Sequence, residues 1–260
     1  MTDTTAPDAS PIPKIARITM SDLREVLVLG WHDFRRAPTY GLIFSAVYVL
    51  GGLFLAFVSS GFVWSTVILA LGFPILAPFV AVGLYEVSWR LEDNRPLDPN
   101  QIFGAVWREK DRQIPWAGAI IVVYFLFYTF LAHMIFALFM GLSVMTNISS
   151  SYEAFFTTNG LTMIAIELLV GGVLAFILFG LTAFSLPLLL EKEIDFMTAM
   201  LLSFRAVQEN IPVSLAWAAM IAGLVLLAMI PAFLGLFVVL PVLGHATWHL
   251  YRRVLVHPGG

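Results

Sequence analysis

Cysteine is absent from the chain. Its absence excludes disulfides, thiolate metal sites, cysteine nucleophiles and palmitoyl anchors. Charge is scarce: Asp, Glu, Lys and Arg make up 12% of 260 residues, where a soluble domain carries about a quarter. With 60% hydrophobic residues and a mean hydropathy of +0.89, too little polar surface remains to cover a globule in water. The solvent for most of this chain is lipid. Walker motifs, dinucleotide fingerprints, nucleophile elbows and metalloprotease His pairs are also missing. No enzyme activity, resident metal, cofactor or nucleic-acid partner is therefore expected. Residues 1–20 lack the apolar core of a signal peptide and read as a disordered, Pro- and Thr-rich cytoplasmic tail.

Long apolar runs are plentiful. A run of about 18 residues spans a bilayer core of roughly 30 Å. Six qualify, at about 40–58, 64–89, 115–140, 161–190, 212–230 and 233–251, with the tight turn Ser59-Ser60-Gly61 after the first. The expected fold is all-α, a polytopic membrane protein of six transmembrane helices. All 14 Lys and Arg residues fall before run one, between two and three, between four and five, or after six. Basic loops stay on the cytoplasmic side, so both termini are expected there. Of the far-side loops only 141–160 has any length.

A single membrane domain, 21–255, is expected, built from three units at about 21–95, 96–193 and 194–255. Each opens with a short amphipathic segment: SDLREVLVLGWHDFRR (21–36), DPNQIFGAVWREKDRQIP (98–115) and DFMTAMLLSFRAVQENIP (195–212). A shift of 97 residues superposes Asp98 on Asp195, Arg108 on Arg205 and Ile114-Pro115 on Ile211-Pro212. The even-numbered runs share an apolar-Pro-apolar-Leu step at Pro74, Pro187 and Pro241, where a helix is expected to kink. Acidic residues interleaved with the basic ones (Asp22, Glu25, Asp33, Glu109, Asp111) weigh against anionic-lipid recognition by these segments. Gly171-Gly172, Gly180 and the Ala219/Gly223 step read as close-packing positions.

Ionisable residues at depth are the default functional candidates in a membrane protein. His133 and Glu167 lie at comparable depth on runs three and four and could face each other as a proton-linked or ligand-binding pair; a structural hydrogen bond is the plainer reading. His245 and His249, four apart on run six, share a helix face. They could ligate a metal or haem with help from His32, Asp33 or Glu86, or serve as interfacial anchors beside Trp248 and Tyr251. The anchor reading is preferred, because a metal site needs more ligands than two. Asn147-Ile148-Ser149 matches a glycosylation acceptor, a pattern common by chance.

The stretches GWHDFRRAPTYGLIFSAVYVLGG (30–52), FPILAPFVAVGLYEVSWRLE (73–92), SLPLLLEKEIDFMTAM (185–200) and LPVLGHATWHLYRR (240–253) resemble a family of bacterial, mainly proteobacterial, integral membrane proteins of unknown function. Some of its members are labelled as a cytochrome c oxidase subunit. The resemblance runs from about residue 20 to 255 and implies a bacterial inner-membrane location. The expected role is a non-catalytic accessory or assembly subunit associated with a respiratory complex. Its expected partners are the lipid bilayer and respiratory subunits or further copies of itself. The alternatives are a small-solute or lipid transporter and, behind it, a haem or copper handling protein.

Overall fold

The computed structural model describes residues 12–58, 63–109, 112–141 and 155–256. The start of the tail, the Ser59-Ser60-Gly61 turn, Asp111 and most of the 141–160 loop with Asn147 lie outside the described residues.

Helix dominates. The amphipathic segments form α1 (Met20–Arg36), α4 (Pro99–Glu109) and α8 (Phe196–Glu209). The apolar runs form α2 (Pro38–Val58), α3 (Val63–Glu92), α5 (Ile114–Met140), α6 (Thr158–Thr182), α7 (Ser185–Glu191), α9 (Ile211–Met229) and α10 (Leu236–Val254). Proline opens several of them, at Pro38, Pro99, Pro115 and Pro212, positions where its missing N–H costs no bond. Asp195 caps α8 by accepting the Thr198 amide at 2.9 Å, and Thr157 caps α6 by accepting that of Gly160 at 3.1 Å. α3 ends where Asn94 takes a left-handed conformation (φ 52°), which lets the Arg95 amide return to the Arg90 carbonyl at 2.8 Å.

Run four differs from the single kinked helix the sequence suggests. The chain breaks at Ala183-Phe184, and α7 begins after it. Ser203 of α8 sits at the break: its hydroxyl accepts from the Phe184 amide (3.0 Å) and donates to the Gly180 carbonyl (2.7 Å). One side chain thereby satisfies two backbone groups that the interruption sets free, which apolar surroundings require. Pro187 consequently lies in the first turn of α7. Pro241 lies inside α10, and Pro74 falls within the continuous α3.

By length and composition, three segments among the described residues can cross a membrane: α5, the α6–α7 segment and α9. Counting the bent pair α1 and α2, which meet at 101°, gives a fourth. Consecutive apolar helices pack as neighbours, α2 on α3, α3 on α5 and α5 on α6. α10 closes back on α1, α2 and α3, and α9 packs against α10. Residues 14–15 pair antiparallel with 255–256 as a two-residue ribbon, β1 with β2, so the two ends of the described chain meet. The Asn210 side chain fixes this strap, accepting the Ile18 amide at 2.9 Å and donating to the Ala16 carbonyl at 3.1 Å.

The main core is concentrated where α10, α7, α8, α9 and the C-terminal half of α3 meet, around Trp217, Phe184, Trp248 and Tyr251, all essentially sealed from solvent. By contrast, only 6% of the most apolar windows of α5 and of the α6–α7 segment is buried.

Candidate functional site

The polar chemistry of the described chain gathers in one layer, at the end where α1, the C-terminal turns of α3 and α10, and α7 come together. A close helix contact sets its register. A Cβ added to Gly30 would lie 2.5 Å from the Val242 carbonyl oxygen and 2.7 Å from the Ala246 amide, so α1 and α10 touch backbone to backbone. Glycine is the residue that permits this approach. One turn further along each helix, Asp33 Oδ2 meets His249 Nε2 at 2.8 Å. Asp22 and Glu25, also on α1, both take Arg253, at 2.6 and 2.9 Å.

His245 is fully buried beneath α3, its Nδ1 2.7 Å from Ser88 Oγ. Its Nε2 is buried with no hydrogen-bond partner among the described residues. Beside it on α3, Glu86 and Arg90 form a buried ion pair at 2.7 Å, one turn apart, with each side chain about 5–6% exposed. Arg90 spends its other donors on Gln101 Oε1 (2.8 Å) and the Pro96 carbonyl (3.2 Å), tying the α3–α4 turn to the layer. Such a buried pair is tolerable because the guanidinium also has these two further acceptors.

A further group joins three parts of the chain. Glu92 closes α3 and Glu191 closes α7. Arg252 reaches both, at 3.3 Å through Nε and 2.8 Å through Nη1. Trp248 Nε1 donates to Glu92 (2.9 Å), and the Tyr251 hydroxyl donates to Glu191 (2.5 Å). Trp248 also packs face to face on Trp89, 5.9 Å between centroids, and edges against Tyr251. At the outer margins two carboxyls sit below the usual carboxylate range. Asp22 is held there by the hydroxyl and amide of Thr19, then by Arg253, and Asp195 by the hydroxyl and amide of Thr198.

The residues singled out in the sequence fall as follows. His245 and His249 are both in the layer but take separate partners. Asp33 and Glu86, the proposed helpers, are already engaged by His249 and Arg90, while His32 is turned outward, 62% exposed. Among the described residues no three His, Asp or Glu side chains converge as metal ligands. Trp248 and Tyr251 are core residues, so the exposed rings of this end are others, Trp31 and Trp107 among them. His133 is exposed and places its Nδ1 2.7 Å from the Thr129 carbonyl of its own helix. Glu167 has neither a hydrogen bond nor an ion pair among the described residues, so the two do not meet. Sequence reasoning passed over Ser88, Glu92, Glu191 and Arg252. The recurring Leu91-Glu92 and Leu190-Glu191 steps, each ending an apolar helix, were the available signal.

In this layer Arg90 pairs with Glu86, while Arg252 and Arg253 each bridge two carboxylates from other helices. Residues 66–191 match the model of a family described as "Predicted integral membrane protein (DUF2189)". No curated protein matches the chain, and no solved structure does.

Proposed function

Starting from an integral membrane protein of unknown function, as that match describes it, we propose that the chain is a non-catalytic, multi-pass subunit or assembly partner of a larger membrane complex. A respiratory complex such as cytochrome c oxidase is the first complex to test, on the strength of the label some members of the resembling family carry. The observation that carries this reading is the contrast between the two sides of the bundle. Charged residues in the layer are satisfied internally. The α5 and α6 helices, only 6% buried in their apolar windows, carry Phe130 (67% exposed), Leu138 (75%) and Leu168 (72%) outward. Between them a cavity of about 230 Å³ is lined by Tyr124, Tyr128, Gly171 and Leu174, an apolar recess open to a side chain of a neighbouring helix.

In the same reading α2, α3, α5, α6–α7, α9 and α10 are six spans of the bacterial inner membrane. They make three hairpins introduced by α1, α4 and α8, with both termini cytoplasmic. The β1–β2 pairing supports a common side for the two ends, and the one-sided placement of the basic residues supports that side being cytoplasmic.

The test is purification of a tagged copy from its native membrane in mild detergent, with a photocrosslinking residue at position 130 or 168. The expected result is a membrane protein recovered in stoichiometric amount and crosslinked at those positions. Recovery alone, with crosslinks to lipid only, overturns the reading.

A further inference from the structure

We propose that α1 is a binding site for anionic phospholipid. In sequence its three acids cancel its three bases, and the fold undoes that balance. Asp22 and Glu25 are tied to Arg253, and Asp33 is buried against His249. Arg24, Arg35 and Arg36 remain exposed and form no ion pair or hydrogen bond among the described residues. The outward surface of the helix is therefore net basic, although the helix as a whole is mixed in charge.

Apolar residues lie between those arginines on the same surface. Val28 is 62% exposed, Trp31 46% and Leu29 38%. Beside them runs a groove of about 500 Å³ lined by Ser21, Arg24, Glu25, Val28, Leu29 and Arg253. Its hydroxyl and guanidinium groups lie at one end and its aliphatic wall at the other, the division a phospholipid presents. Glu25 in the wall is occupied by Arg253 Nη2. The 101° bend at Ala37 supplies the orientation: with α2 crossing the bilayer, α1 lies nearly in its plane. Its apolar middle then sits at the acyl boundary and its arginines at phosphate level. This step rests on α2 being a span, as proposed above.

The experiment reconstitutes the full chain in phosphatidylcholine vesicles containing increasing fractions of phosphatidylglycerol. One or the other lipid is brominated on its acyl chains. Quenching of Trp31 is read as the difference between the unsubstituted protein and Trp31→Phe. The expected result is half-quenching at a several-fold lower fraction of brominated phosphatidylglycerol than of brominated phosphatidylcholine. Each contributing arginine accounts for up to about fivefold. Arg24→Gln/Arg35→Gln/Arg36→Gln should lose the preference and the matching triple lysine variant should keep it. In the unsubstituted protein the preference should shrink as salt rises. Equal quenching by both lipids, a preference that survives the glutamines, or one indifferent to salt overturns the site. Quenching by neither lipid places α1 away from the bilayer and overturns the orientation of α2 as well.

Discussion

His249 Nε2 lies 2.8 Å from the carboxylate of Asp33, and these two residues, 216 positions apart in sequence, pin the first long helix of the chain to the last. The pair is partly buried, 13% and 7% exposed, so it is screened little by water. Asp33→Asn should lower stability by about 1–3 kcal/mol, the cost of leaving a buried polar group poorly matched. A double-mutant cycle with His249→Gln, read by unfolding in detergent, should show a coupling energy of at least about 0.5 kcal/mol. Strict additivity of the two changes would show that the contact holds nothing.

The Gly30 contact leaves no room for a side chain. A Cβ there meets backbone atoms of Val242 and Ala246 that cannot rotate away. Gly30→Ala should therefore cost on the order of 1–3 kcal/mol, and Gly30→Val more, although alanine would ordinarily strengthen an exposed helix. A melting temperature unchanged or raised by Gly30→Ala would contradict the backbone contact.

Glu86 and Arg90 provide a test of burial against pairing. Glu86→Leu alone leaves a guanidinium nine-tenths buried with its carboxylate gone, and should cost roughly 3–5 kcal/mol. Changing both, Glu86→Leu with Arg90→Met, removes the orphaned charge and should recover most of that loss. If the double variant unfolds as readily as the single one, the penalty lies in lost packing, not in stranded charge.

Arg252 serves two acids at once. Arg252→Gln should remove the guanidinium from both Glu92 and Glu191, so the losses from Arg252→Gln and from Glu191→Gln should not sum in the double variant. Unfolding midpoints of the three variants decide this. Full additivity would mean that the arginine and Glu191 act independently.

Acid should loosen the margins of the layer. Asp22 and Asp195 have folded pKa values below the unfolded reference of 3.8. Between those values the unfolded chain binds more protons, so their contribution is complete above about pH 4 and is lost as pH falls through the folded values. Asp195 is exposed and Asp22 partly so, and solvent screening keeps the effect small. Thermal melts from pH 6 to pH 3 should show a shallower acid decline in Asp195→Asn than in the unsubstituted chain, with no difference between them in slope above pH 5.

Residues 20 to 255 state much of their architecture in one dimension. Apolar runs long enough for lipid, prolines at helix starts and the Asp195 cap act over a few residues, so the helices and most of their limits are legible without coordinates. Scarcity of charge identified the solvent for the same reason: composition sums over the chain and does not depend on its folding. The break at Ala183-Phe184 was not legible, because the group that makes it tolerable, Ser203, belongs to another helix. Nor were the partners of His245 and His249: their shared helix face suggested one site, whereas Ser88 and Asp33 arrive from α3 and α1 and divide them. The charge on α1 shows the limit most plainly. Sequence determines how many acids and bases the helix carries, but which of them face water is decided by what packs behind it. Only the tertiary contact with α10, made at Gly30 and closed by Arg253, buries Asp33, engages Asp22 and Glu25, and leaves Arg24, Arg35 and Arg36 outside without a carboxylate.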